Sequence, residues 1–385
     1  MRNNEERRLQ RAVAYICATL FALFAFFFVA VYQAPLLEAF YNEVATGKLD
    51  YNPYLVGGVV SLVLTLLALW LNRFARFRRE WTALAYLPSA LLLAFITDID
   101  RTLYTGDGSG LSWVLIFILG LSLYGAMSFI FRRVLFEKIK DVAMAMNRVV
   151  WRNLVLLVLL FCLVGALSNS EENFKRETKM MSLFNKGDIS DALRVGYTSD
   201  DASRELTAMR AYTLAVAGLQ GERLFEYPQP YASEGLLPLP WRTSPLVPDS
   251  VFALLGGRPL DGEDAAAFLS RIAHTDSVTQ AAKEYYLSSL LLEKRLVKFK
   301  DEVIALYGDS SVNKLPKHYR EALMLYADIA DSASVVPYEI DDAAMRASLD
   351  ALRAVEARYS DLFVRGNYVR REFGRTYWWY FLYSN

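Results

Sequence analysis

Residues 81–97 read WTALAYLPSALLLAFIT, an uncharged apolar stretch immediately after the basic loop NRFARFRRE at 72–80. A hydrocarbon core of ~30 Å takes about 20 helical residues at ~1.5 Å each, so 81–97 is a short candidate for a membrane span. Pro88 inside it predicts a kink, because proline lacks the amide donor and clashes with the preceding turn. Read as a span, it is the third of five. The others are Ala12–Tyr32, Tyr54–Leu71, Leu111–Phe131 and Val149–Leu167. The two halves of the chain then part company: 1–168 as a transmembrane domain and 169–385 as a polar helical domain.

Charge sets an orientation for this arrangement. The N-terminal arm (Arg2, Arg7, Arg8, Arg11), the loop at 72–80 (Arg73, Arg76, Arg78, Arg79) and the segment at 132–152 (Arg132, Arg133, Lys138, Lys140, Arg148, Arg152) hold 14 basic residues. The alternate loops hold Lys48 and Arg101 alone. The positive-inside rule places the N-terminus in the cytoplasm, and five crossings put residues beyond about 168 on the opposite side. The first span is too long for a signal peptide and lacks a small-x-small cleavage site, so it reads as an uncleaved anchor. The spans carry almost no ionisable residue, which disfavours pumps and ion-coupled transporters. Gly57–Gly58 and GLSLYGAMS at 120–128 suit close helix packing.

Residues 169–385 hold 26 Lys/Arg and 31 Asp/Glu. Nucleic-acid binding needs a basic face, so an acidic half argues against that partner. Cys17 and Cys162 lie in apolar runs and offer no disulfide framework. His274 and His318 stand far from any cysteine, so neither a zinc site nor another metal or cofactor is expected. No alternating strand pattern occurs, and the fold class is all-α. LFNKGDISDALRVG at 183–196 resembles the turn and second helix of a tetratricopeptide repeat. SRELTAMRAYTLAVAGLQGERLFEY at 203–227 and PKHYREALMLY at 316–326 give further candidate pairs, with Gly218 and Gly221 marking a turn. One long helix is expected over Thr279–Tyr307, with Tyr285 and Tyr286 on its buried face. A final helix is expected over Asp341–Phe363, opening at an acidic cap, Asp341–Asp342. The proline-rich segment 228–248 interrupts the helices and reads as a loop anchored by Leu236, Leu237, Leu239 and Trp241.

With ELTAMRAYTLAVAGLQGERLFEYPQP, LPKHYREALMLY and FGRTYWWYFLYSN in view, residues 150–385 resemble a family of uncharacterised multi-pass membrane proteins from Bacteroidetes. The resemblance implies an inner-membrane protein with a periplasmic helical domain. It transfers no activity and no catalytic residue.

Two places carry candidate sites. TDIDRTLYTGDGSG at 97–110 puts Asp98, Asp100, Arg101 and Asp107 at the predicted membrane edge. Transferases acting on lipid-linked envelope precursors use a carboxylate in such a loop, so Asp98 and Asp100 are the catalytic candidates under an enzyme reading. A polar turn in which Arg101 pairs with an acid is the plainer account. The sequence FGRTYWWYFLYSN at 373–385 holds seven aromatic residues. Burial against the last helices is the first expectation for them. Contact with headgroups or a partner is the alternative, with Tyr377, Trp378, Trp379 and Tyr380 as binding residues. His318 is expected at the surface or as a cap. The leading functional expectation is an inner-membrane scaffold. Its partners would be the bilayer and an envelope protein, the latter bound by a helical-repeat domain.

Overall fold

The structure is a computed structural model that describes residues 2–45, 51–75, 79–106, 111–133, 142–197, 199, 201–329 and 340–384. It is helical throughout, with no strand among the described residues. Two compact units divide the chain, Met1–Thr178 and Lys179–Asn385.

The first unit contains α1 (Arg2–Phe27), a π-helical turn (Phe28–Tyr32), α2 (Ala34–Val44), α3 (Pro53–Ala75), a 3-10 segment (Arg79–Tyr86), α4 (Leu87–Thr97), α5 (Thr102–Thr105), α6 (Leu111–Arg133) and α7 (Val142–Leu167). Among the described residues four stretches are long and apolar enough to cross a membrane: Arg11–Tyr32, Pro53–Arg73, Ser112–Phe129 and Asn147–Leu167. Their outward positions are apolar, with Leu55, Leu62, Val114, Leu119 and Val158 all exposed. A helix in contact with water would place polar residues there. Small residues mediate close approach only in part. A Cβ on Gly57 would fall 2.8 Å from that of Ala30, and one on Gly120 would fall 2.5 Å from Leu91 Cδ1. Gly58 and Gly125 face open space.

The expected third span takes a different form. Residues 81–97 form no single long helix. Trp81 is non-helical (φ −129°, ψ 20°) within the 3-10 segment, and the α-helix proper begins at Leu87 with proline in its first turn. Pro88 therefore starts α4 instead of kinking a longer helix. Its missing N–H costs nothing in a first turn, whereas mid-helix its ring would clash with the turn before. The break lies in the bundle interior, where Ala83, Ala85, Ala90, Leu93 and Ala94 are fully buried. A backbone donor there needs a partner. Asn153 of α7 supplies it: its Oδ1 accepts from Ala83 N at 2.8 Å, and its Nδ2 donates to Val149 O at 2.8 Å. Ser89 Oγ donates to Leu64 O at 2.9 Å.

After α8 (Glu172–Asn185), the second unit runs through α9 (Ile189–Arg194), α10 (Arg204–Val216), α11 (Gln220–Arg223), α12 (Pro248–Leu255), α13 (Ala265–Ala273), α14 (Gln280–Leu292), α15 (Leu296–Tyr307), α16 (Lys317–Ile329), α17 (Ala343–Arg358), α18 (Leu362–Phe373) and α19 (Tyr377–Tyr383). One apolar core extends from Met180 to Tyr380. Side-chain caps mark the helix starts. Asp188, Ser203, Asp264, Thr279, Asp342, Asp361 and Thr376 each accept from a backbone N–H of the first turn. Gly187 (φ 81°) and Gly218 (φ 66°) make the expected turns. Gly221 instead lies within α11, where a Cβ would fall 2.7 Å from Pro316.

Three further expectations change. The long helix over Thr279–Tyr307 is two helices, α14 and α15, broken at Lys294, which adopts a left-handed conformation (φ 56°) with neither glycine nor proline to signal it. The helix that starts at Asp342 ends at Arg358, and Asp361 caps a new one. In the proline-rich segment Leu236, Leu237 and Leu246 are buried, but Trp241, expected as an anchor, is 62% exposed.

Candidate functional site

In the first unit the polar side chains converge on Arg101, just after α4. Its Nη1 and Nη2 meet Glu177 Oε2 and Oε1 at 2.9 and 2.8 Å, and its Nε and Nη2 meet Glu171 Oε1 at 3.0 and 2.7 Å. Glu177 is fully buried. Burial works against the Arg101 charge, yet the bonds to Glu177 and Glu171 outweigh it and hold the guanidinium above its usual range. The ring of Phe174 lies 5.3 Å from the guanidinium carbon. Asn169 ties the same region together, donating to Ile99 O at 2.6 Å and accepting from Glu171 N at 2.6 Å. Gln33 donates to Asn169 O at 3.1 Å. The Lys175 ammonium rests 3.7 Å from the centroid of the Tyr32 ring, at the end of the π-helical turn.

The two candidate catalytic carboxylates have separate structural partners here. Asp98 Oδ2 accepts from Trp113 Nε1 at 2.7 Å. Burial pushes the Asp98 carboxyl up, partly offset by the Trp113 bond. Asp100 Oδ1 accepts from Thr102 N at 2.9 Å and Thr102 Oγ1 at 2.5 Å, opening the short helix α5. Among the described residues no group of three or more His, Cys, Asp or Glu could hold a metal ion. Asp107 and Lys48 lie outside the described residues. Arg101 does pair with acids, but they stand 70 and 76 residues away, where local spacing gives no hint of them.

In the second unit the aromatic tail is a helix, α19. Tyr377, Trp378 and Tyr380 are buried, while Trp379 is half-buried and stacks on Tyr383 at 5.2 Å. Its polar atoms are tied to neighbouring helix ends. Tyr377 N donates to Glu321 Oε2 at 2.8 Å and Trp378 Nε1 to Glu321 O at 2.8 Å. Tyr377 OH and Tyr380 OH donate to Leu291 O and Leu292 O at 3.2 and 2.8 Å, so two carbonyls at the end of α14 are satisfied from α19. Burial raises the Tyr377 phenol well above its ordinary range and pushes Tyr380 up to about 12. His318, expected at the surface or as a cap, is fully buried. Its Nδ1 lies 2.9 Å from Glu321 Oε2, and Phe225 packs edge-on against its ring.

Where α14 breaks into α15, a groove of about 800 Å³ opens, lined by Lys294, Arg295, Leu296, Val297, Lys298, Asp301, Tyr326, Ile329 and Phe381. Its apolar side includes Val297 (62% exposed) and Ile329 (50% exposed). Lys294 Nζ donates to Ser384 O at 2.5 Å, and Asp301 pairs with Lys300 at 2.9 Å. Among the described residues no carboxylate pairs with Arg295 or Lys298. The helix break that creates this groove is what periodicity failed to mark.

Residues 260–384 match the model of a family of unknown function, DUF6057. The match covers α13 to α19, with the groove and the aromatic helix. It is narrower than the 150–385 stretch on which the resemblance above rests, and it spans less than half of the chain. No curated protein matches the chain, and no solved structure does.

Proposed function

We propose that the chain is a membrane-anchored scaffold whose C-terminal helical unit binds another protein in the cell envelope. The observation that carries this is the groove at the α14–α15 break: an apolar side beside Arg295 and Lys298, two cations to which no carboxylate is paired among the described residues, in a half of the chain that is net acidic. Surfaces that join exposed apolar area to uncompensated charge gain most from a partner segment that supplies both complements. The polar groups of the first unit support the same reading from the other side. Asp98, Asp100 and Arg101 are each held in place by structural bonds.

We place the first unit in a bacterial inner membrane, with the N-terminus cytoplasmic and the second unit periplasmic. This orientation needs residues 81–97 to cross as a broken helix. Six 3-10 residues at ~2.0 Å and eleven α-helical residues at ~1.5 Å reach about 28 Å, close to the hydrocarbon thickness. The helix pairs of the second unit then act as degenerate tetratricopeptide-like repeats. An alkaline phosphatase fused after Thr178 tests the orientation. High activity is expected, and an inactive fusion beside a fluorescent protein that matures at the same site reverses it. For the binding role, a photocrosslinking residue at Val297 in the full-length protein should give one discrete adduct in cells, lost when Arg295 and Lys298 are both changed to Glu. A normally expressed protein with no adduct from Val297 refutes the scaffold reading.

A further inference from the structure

We propose that the outward face of α18 docks on an anionic bilayer surface. Val369 and Phe373 are buried, and a Cβ on Gly366 would meet Tyr383 at 3.9 Å, so these residues fix which side of the helix faces the core. With ~100° between successive residues, Val364, Asn367, Tyr368 and Arg371 then share the opposite side, and Phe363 flanks it at the exposed N-terminal turn. Leu362 and Phe363 are 71% and 79% exposed, the most exposed large apolar pair of the second unit. Tyr368 lies flat on Tyr359 at 4.5 Å, which holds an aromatic plate at the same face. Asp361, beside this apolar tip, is engaged in capping Phe363 N and Val364 N at 2.8 and 3.0 Å.

Charge selects the occupant. Residues 362–375 carry Arg365, Arg370, Arg371 and Arg375 against the single acid Glu372, within an outer half that holds 26 basic and 31 acidic residues. Exposed Leu and Phe beside clustered arginine are what a helix needs to lie in a headgroup layer. A bilayer is also the one partner this unit always has, because the chain before it carries four helices long and apolar enough to cross a membrane. Tethering makes docking intramolecular, so weak contacts suffice. Interfacial contact, one alternative for the aromatic tail, thus belongs to α18: Tyr377, Trp378 and Tyr380 are turned into the core, and Phe363 is turned out.

The test uses the full-length protein, with Cys17→Ser and Cys162→Ser, in nanodiscs of phosphatidylcholine alone or of equal parts phosphatidylcholine and phosphatidylglycerol. An environment-sensitive fluorophore sits on Phe363→Cys, and a control fluorophore on Val297→Cys. The expected result is a blue-shifted label at 363, quenched by brominated lipid in the phosphatidylglycerol discs only, with 297 unaffected. Arg370→Gln with Arg371→Gln should lower the docked-to-free ratio roughly 30-fold, from ~1 kcal/mol per arginine near an anionic surface. Normal protease resistance of that variant shows the loss is not unfolding. A label at 363 that stays water-like in both discs overturns the proposal. So does equal quenching without phosphatidylglycerol, or shielding that needs a second protein and not the lipid.

Discussion

Trp378→Ala measures how much of the second unit depends on α19. The indole is 1% exposed, and its Nε1–H is bonded to the Glu321 carbonyl at 2.8 Å. A buried tryptophan removes ~150–250 Å² from water, which at ~25 cal/mol/Å² is roughly 4–6 kcal/mol. Measured Trp→Ala changes in cores run at ~3–5 kcal/mol. We therefore expect a loss of about 4–5 kcal/mol, against a typical domain stability of ~5–15. The assay is pulse proteolysis of the full-length protein in detergent across a urea series, following cleavage within residues 179–385. At a slope of ~2 kcal/mol/M the midpoint should fall by about 2 M. Trp379→Ala, which removes only a half-buried ring stacked on Tyr383, should cost ~1 kcal/mol. A Trp378→Ala midpoint within about 0.5 M of the parent, or one no lower than Trp379→Ala, would refute the account of α19 as part of the core.

Other outcomes follow from the same geometry. Arg101→Met leaves Glu177 buried without its cation and should destabilise the first unit by about 3–5 kcal/mol, with Glu177→Gln in the same chain restoring much of it; thermal unfolding in detergent reads both. Gly57→Ala drives a methyl into Ala30 and the α1 backbone and should cost ~1–3 kcal/mol, whereas Gly58→Ala should stay within about 0.5, measured by the same transition. His274 has its pKa raised by the Ser270 carbonyl at 2.7 Å, with Glu302 at 2.9 Å adding to it. Its folded value therefore exceeds the unfolded 6.5, so its contribution is full below that pH and lost as pH rises through the folded value. Since the ring is half-exposed, the expected loss on going from acid to alkaline pH is under ~1 kcal/mol, and His274→Gln should abolish it in urea titrations at the two extremes.

Composition and periodicity revealed the all-α class, the long apolar helices and the cap at Asp342, because each is set by residues close in sequence. What they missed depends on tertiary partners. The helix break before Pro88 is tolerable because Asn153, seventy residues on, accepts from Ala83 N. The Lys294 break has no local breaker, and its left-handed backbone persists with a bond to Ser384 O. His318 reads as polar surface by residue type and is buried because Glu321 and Phe225 surround it. At the Arg101 network the arginine was visible, but Glu171 and Glu177 were too distant in sequence to assign to it.

The position of α19 has a consequence for how the protein is made. Its hydroxyls close carbonyls 86 and 88 residues earlier, and Tyr377 packs on Phe225. Synthesis delivers α9 to α18 first, at ~5–20 residues per second, with the slot for Trp378 still open. The last step of its assembly is therefore a long-range closure, a contact that must wait for the end of the chain. Until 377–383 emerge, the nascent chain presents an unfilled apolar seam, the kind of transient surface that promotes aggregation.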